Sequence, residues 1–355
     1  MSGAARRLDR RVYLGSHPVL FAVLAATRGR AVRRIGGTLL VHGRDAYTEA
    51  LTRIPLDRTA PGTTGGAAGE LAGPGALFDQ QGDEHRRTRR DTAARLGAAG
   101  VESLRPIWTT VVDRQVAALV DGRPVDLVPL AAEMAGRTAA ALLDLDVDPI
   151  RLATAAREAG AAAARAHLPG PGRRRYQRHA AAATARLVDL VAPGGAGRGL
   201  AVMLTIAAVN TTVAALPRAA AWMCRDGLWA YGKDPGLVDE LLRVTAPTPL
   251  LPRVAAGPGD LGGCPVRAGD RMMLIARHAA DAHRAAPNPE CPAPAQVANL
   301  VFGAGPHFCP GARLARAQLG DLLAALAPHR PAVLRARVDR RSALPGWREL
   351  VVAAR

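Results

Sequence analysis

In FGAGPHFCPGARLAR, residues 302–316, Cys309 lies two residues after His307 and just ahead of a helical pattern, with Gly303, Gly305 and Gly311 around it. A thiol at the start of a helix is favoured as thiolate by exposed amides and the helix dipole. Such a sulfur has three uses: to attack a substrate, to bind a metal, or to fill space. A histidine base would suit the first, but His307 is so near in sequence that an in-line pair is awkward. Inert filling needs no glycines on both sides. Glycine lets a backbone run tight against something large and flat.

The elements that must position this sulfur are mostly helices. The chain has 355 residues, 49% of them hydrophobic but only 3% aromatic, and alanine-rich helical spacing dominates. Helices are expected over 18–27, 84–97, 104–120, 126–145 and 234–247, with Ala/Arg helices over 151–192 interrupted by LPGPGRRR (168–175). IGGTLLVHG (35–43) reads as a β segment, and Asp57 to Gly75, rich in Gly, Pro and Thr, reads as a mobile loop. LAVMLTIAAVNTTVAAL (200–216) is the most apolar helix, and its Asn-Thr-Thr interruption favours a buried centre over a membrane span. Pro217 is expected to kink or end it early. After Cys309, apolar residues at Ala315, Leu319, Leu322, Leu323 and Leu326 keep helical spacing up to Pro328. No internal repeat or linker divides the chain, so a single domain over 1–355 is expected.

The formal net charge is +17, and Lys233 is the only basic residue that is not arginine. No basic run is interleaved with aromatics for base stacking, so no nucleic-acid partner is expected. The four cysteines form no CxxC pair, against a zinc ribbon or redox motif and in keeping with a reducing cytoplasm. The N-terminus imitates a signal peptide, but arginines resume at once and no clean small-residue cleavage site follows; an amphipathic helix is expected there, and no membrane partner.

The pattern Phe302-Gly303-x-Gly305-x-His307-x-Cys309-x-Gly311-x-x-Leu314-Ala315-Arg316 resembles the haem-binding loop of the cytochrome P-450 family. Glu240-Leu-Leu-Arg243 matches that family's ExxR helix, upstream of the loop in the right order. His85-Arg86-Arg87-Thr88-Arg89 resembles its HxxxR helix, and Leu251-Pro252-Arg253-Val254 the segment that supplies another propionate arginine. Ala207-Ala208-Val209-Asn210-Thr211-Thr212 resembles the oxygen-binding stretch of its long central helix. The resemblance implies a mainly α fold with small β-sheets, the haem lying between the central helix and the cysteine loop. It implies haem b with Cys309 as axial ligand, Phe302, Gly303 and Gly311 around the sulfur, and His85, Arg89, Arg253 and His307 on the propionates. Ala208 would leave room beside the iron, Thr211 would support bound dioxygen, and Glu240 with Arg243 would brace the core.

The departures matter as much. Asn210 stands where the family usually has an acid; an amide orients water but cannot shuttle protons by changing charge. The arginine that would complete a triad with Glu240 and Arg243 has no clear counterpart, Arg284 being a candidate. The implied function is oxygen-dependent oxidation of a small organic substrate by a cytoplasmic monooxygenase of specialised metabolism, with an acidic redox partner such as a ferredoxin. Its docking face would hold Arg86, Arg87, Arg90, Arg313 and Arg316. Asn210 keeps open coupling, desaturation, ring formation or peroxide-driven oxidation, and a non-catalytic haem protein that binds a ligand or partner. Phe78, Val209, Leu250 and Leu251 are candidate pocket residues, and GRRRYQRH (172–179) a candidate contact for an acidic or carrier-protein-bound substrate.

Overall fold

Helical spacing of alanine and leucine becomes helix over most of its length in the computed structural model, which describes residues 3–73, 75–167, 173–192, 194–195 and 197–355. Helices α1 (Ala4–Ser16) and α2 (Pro18–Thr27) lead into the hairpin of β1 (Val32–Ile35) and β2 (Thr38–Val41), then α3 (Arg44–Thr52), β3 (Leu56–Asp57) and α4 (Thr64–Ala72). Next come α5 (Gly82–Leu96), α6 (Ala98–Val120), β4 (Val125–Asp126), α7 (Leu127–Leu142), α8 (Pro149–Ala166), α9 (Arg173–Val191) and the long α10 (Arg198–Asp226). Then follow α11 (Pro235–Thr245), β5 (Leu251–Ala255), β6 (Gly259–Leu261), β7 (Cys264–Val266), β8 (Arg271–Leu274) and the short α12 (Ala276–Ala279) and α13 (Ala295–Ala298). Helix α14 (Ala312–Leu326) and the strands β9 (Ala332–Val338) and β10 (Trp347–Ala353) end the order.

The described strands form a sheet in the order β1-β2-β8-β5-β3, a three-stranded sheet β4-β10-β9, and the hairpin β6-β7. In the first sheet β2 and β8 run parallel, and the remaining pairs are antiparallel. One hydrophobic core gathers around α6, α7, α8, α10 and α14; a second lies against the larger sheet, and Phe302 packs on both. The cysteine loop therefore sits at the seam between the helical and sheet regions.

Helix α10 is long and apolar enough to cross a membrane by length and composition, but here α1, α7, α8 and α14 pack against it. An apolar surface on several sides is what a central helix needs. Pro217 does not end it: the helix continues to Asp226, and Pro217 itself is buried. The segment 57–75 is not simply a loop either. Thr63 Oγ1 accepts the Gly66 N–H at 3.0 Å and starts α4, a side-chain cap that outweighs the glycine content. The breaker residues 168–172 lie outside the described residues. The strands β9 and β10 lie beyond the elements expected from sequence, with Pro345-Gly346 in the turn between them.

Immediately after Pro217, Arg218 is 1% exposed and donates to Asp9 Oδ1 from Nε at 2.9 Å and Nη2 at 2.6 Å. Arg277 Nη1 reaches Asp9 Oδ2 at 3.4 Å and stacks over the Tyr13 ring at 3.8 Å. The Tyr13 hydroxyl donates to the Thr245 carbonyl at 2.5 Å. Helix α1 is thus fixed by groups from α10, α11 and α12. A buried carboxylate is stable only when paired and hydrogen-bonded in this way.

At the ends of β2 and β8, His42 Nδ1 faces His278 Nδ1 at 2.7 Å, and the His278 and His283 rings lie 4.5 Å apart. Burial, then the neighbouring histidines and arginines, lowers His278 to about 2, while burial followed by arginines lowers His42 and His283 to about 4. Folded pKa values below the ordinary 6.5 mean that the unfolded chain takes up protons first as pH falls. Stability is therefore expected to be intact above pH ~6.5 and to drop towards pH ~4 by about 1.4 kcal/mol per pH unit for each histidine. Denaturant unfolding at stepped pH checks this; a His283→Leu variant is expected to flatten the slope.

Candidate functional site

The loop from Phe302 to Gly311 is built by its glycines. Gly303 (φ 84°) and Gly305 (φ 69°) take the left-handed conformation that side chains disfavour. A Cβ at Gly305 would stand 3.1 Å from the Leu51 carbonyl oxygen, so glycine also lets the loop press on α3. The Cys309 N–H donates to the Phe302 carbonyl at 2.9 Å, closing the loop on itself just before α14. Burial pushes the Cys309 thiol up, opposed by the Gly311 amide and by Arg89 and Arg316. A metal cation at the sulfur would reverse that balance, since a coordinating thiol is deprotonated outright.

Beside the loop, four sequence-predicted groups meet. The His85 and His307 rings stack with centroids 3.9 Å apart, and Arg89 donates to the Phe308 carbonyl. Arg253 donates from Nη1 to Thr64 Oγ1 at 3.2 Å. Arg58 joins them and was not singled out in the sequence: burial, then Arg253, lowers it to about 10. Among so many arginines, one in a Gly/Thr/Pro-rich stretch carries no signal of its own. Burial, Arg58, His85, Arg253 and Arg89 lower His307 to about 3.

Among the described residues, no carboxylate pairs with Arg58, Arg89 or Arg253. Arg253 Nε and His85 Nε2 are out of solvent without a hydrogen-bond partner. Cations and donors gathered with their bonds unmade call for an anion, and arginine forks fit carboxylates. A haem, with two carboxylates on one edge and an iron for the cysteine, matches this donor set.

Behind the loop, Glu240 and Arg243 form a two-pronged pair, with both bonds at 2.7 Å and both residues 2% exposed. Glu240 also accepts the Asn288 and Ala293 N–H groups, each at 3.0 Å. Burial alone would push its carboxyl up; Arg243 and these amides outweigh it and hold the group below the usual carboxylate value. Arg284 is not the third member: it is exposed and faces Asp281 at 4.0 Å. Two backbone amides fill that place.

On α10, Ala208 and Thr211 are half-exposed, and the Thr211 hydroxyl donates back to Ala207 O at 2.8 Å. Asn210 has a different commitment. Its Nδ2 donates to Ala156 O of α8 at 3.0 Å and to Ile206 O at 2.9 Å. A Cβ on Gly160 would stand 2.8 Å from that nitrogen, so the amide is wedged between α10 and α8. The structure therefore places Asn210 as a helix-to-helix tie, not as a catalytic group beside Thr211. Asn210→Asp removes both donated bonds and sets a carboxylate against two carbonyls, an expected loss of about 2 kcal/mol or more. Chemical denaturation of the two proteins compares them directly.

The substrate candidates divide. Val209 is 0% exposed and belongs to the main core, because it points into the helix bundle. Leu250 packs with Leu24, Leu40 and Ile275 under α2. Phe78 rests on Ala76, Leu77 and Met203, and Leu251 is half-buried on β5. On the sulfur side, a cleft of about 430 Å³ is lined by Arg89, Leu96, Phe308, Cys309, Arg313 and Arg316. Arg86, Arg87, Arg90 and Arg313 are exposed, whereas Arg316 is held by Asp239 and Asn299, both at 2.6 Å.

Residues 236–327, which include Glu240, Arg243, Arg253, His307 and Cys309, match the family model "Cytochrome P450". Mycocyclosin synthase of Mycobacterium tuberculosis (strain ATCC 25618 / H37Rv) is 37% identical over 92 residues, covering 24% of this chain and 23% of that protein. The matched segment thus spans about a quarter of the length of the curated relatives. Two solved structures align along nearly the whole chain. One is the Bacillus megaterium cytochrome P450 CYP109E1 in complex with testosterone (TM-score 0.74, 17% identity, 97% of this chain and 99% of that one). The other is P450BioI in complex with an acyl carrier protein ligated to hexadec-9Z-enoic acid (TM-score 0.73, 17% identity, 96% and 99%). At that identity they establish the fold.

Proposed function

Because the chain belongs to the cytochrome P450 family, we propose that it is a haem-thiolate monooxygenase that oxidises a small organic substrate. The observation that carries this reading is the convergence of a glycine-cradled Cys309 with a set of cations lacking a carboxylate partner. Haem b held by a cysteine thiolate supplies the reductive activation of dioxygen. The chain's residues do the rest. Cys309 would ligate the haem iron, its sulfur positioned by the Cys309 N–H bond to Phe302 O and by the turns at Gly303 and Gly305, with Gly311 beside it. His85, Arg89, Arg253, His307 and Arg58 would hold its propionates. On α10, Ala208 would leave space for the group's substrate, and the Thr211 hydroxyl could turn from Ala207 O to hold a proton there. Phe78 and Leu251 are the remaining candidates for substrate contact. We read residues 1–355 as one such domain, acting in the cytoplasm in specialised metabolism.

Asn210 favours a second reading within the same chemistry. With its amide hydrogens bound to backbone carbonyls, it offers no proton relay, which suits coupling, desaturation, ring formation or peroxide-driven oxidation. A carbon monoxide difference spectrum tests the haem-thiolate assignment. Turnover with ferredoxin and reductant, compared with peroxide, separates the two readings: tight coupling of reductant to hydroxylated product would remove the second.

The redox partner is an acidic protein docking over the sulfur-side cleft, near Arg86, Arg87, Arg90 and Arg313. Its reduction rate is expected to fall steeply with added salt. Stopped-flow reduction of wild type and an Arg90→Glu/Arg313→Glu variant measures this, and equal rates would place docking elsewhere. A carrier-protein-bound substrate, as in the structural relative bound to acyl carrier protein, would meet the exposed Arg174, Arg175 and Arg178 of α9.

A further inference from the structure

Helix α2, PVLFAVLAAT, contains no charged residue. Its inner side packs on the sheet, with Leu20, Phe21 and Leu24 against Leu40, Met273 and Ile275. A helix resting on a core by one face ordinarily turns polar residues outward. Here the outer side is Val19, Ala22, Val23 and Ala26, all exposed, Val19 by 76% and Val23 by 43%. Leu14, near the end of α1, is 37% exposed as well.

Arginines flank this helix along the sequence. Residues 1–44 contain nine arginines and one acid, Asp9, and Asp9 is buried against Arg218 and Arg277. Arg10 and Arg11 precede α2, while Arg28, Arg30 and Arg33 follow it; all five are exposed. Among the described residues none of these five forms an ion pair.

We propose that this face is a peripheral docking site for an anionic phospholipid surface. The valines and alanines of α2 enter the headgroup boundary, and the arginines at its two ends settle on lipid phosphates. The surface itself argues for this occupant. A second copy would bring arginine against arginine. A protein partner is ordinarily gripped by aromatic or other large anchors, and the exposed side of α2 has only small, smooth side chains. This attachment is additional to the oxidation chemistry and does not depend on it. It also departs from the sequence expectation of no membrane partner, which weighed a bilayer span and a signal peptide but not a peripheral contact.

Co-sedimentation of the purified, haem-loaded full chain with vesicles tests the proposal. Binding is expected to phosphatidylcholine vesicles containing phosphatidylglycerol, to be far weaker with phosphatidylcholine alone, and to fall with salt. Val19→Asp/Val23→Asp, at exposed positions, is expected to keep the haem spectrum and abolish binding. Replacing Arg28 or Arg30 by Gln is expected to weaken binding about fivefold each. Absence of binding to either vesicle, or undiminished binding by the double aspartate variant, overturns the proposal. So does self-association, or retention on an acidic protein, that the same variant abolishes while vesicles go unbound.

Discussion

Arg243→Ala is expected to leave almost no folded, haem-loaded protein. The substitution strips Glu240 of both 2.7 Å bonds while the carboxylate stays 2% exposed. Removing one partner of a buried ion pair costs about 3–5 kcal/mol, a large share of the stability of a typical domain. Arg243 also donates to the Ala280 and Ala286 carbonyls, both at 3.2 Å, so the segment leading to the cysteine loop loses its fastening too. Yield of soluble protein, haem per chain and the urea midpoint together measure the effect. A double variant, Glu240→Gln/Arg243→Met, removes the stranded charge and is expected to recover part of the fold. If Arg243→Ala alone folds and loads normally, the bracing role is wrong.

Cys309→Ala is expected to abolish turnover and the red-shifted carbon monoxide band of a thiolate-ligated haem, while the polypeptide stays folded. The sulfur's loop contact is the Gly311 amide, whereas the loop is closed by the Cys309 N–H on Phe302 O, which alanine keeps. Burial disfavours the free thiolate, so an apolar replacement is tolerated where the ligand itself is not replaceable. Reduced difference spectra and haem retention on gel filtration are the measurements. An unchanged spectrum would sink the assignment of the sulfur.

How much of this could be read from residue types depends on how local each cause is. The cysteine loop was legible because its constraints are consecutive: left-handed glycines, a helix start and a sulfur within ten residues. Glu240 and Arg243 were legible for the same reason, three residues apart on one helix face. Their missing third partner was not. Backbone amides at Asn288 and Ala293 do its work, and an amide looks the same under every side chain. Arg58 was hidden by the arginine excess; only the fold distinguishes a cation facing Arg253, His85 and His307 from one facing water. Asn210 was misplaced because sequence order sets it beside Thr211, whereas the helical turn carries it round to α8. The start of α4 at Thr63 shows the opposite case, where one cap residue mattered more than the composition around it.

The contacts of α1 bear on how the chain reaches this state. Asp9 and Tyr13 find their partners at Thr245, Arg218 and Arg277, so during synthesis α1 has nowhere to dock until the segment through Arg277 has emerged. During that interval an acidic side chain destined for the interior remains in water and α2 drags an uncovered apolar surface behind it. Assembly therefore brings the segment from Arg218 to Arg277 back onto α1, and slow translation prolongs the time in which chaperones must shield α1 and α2.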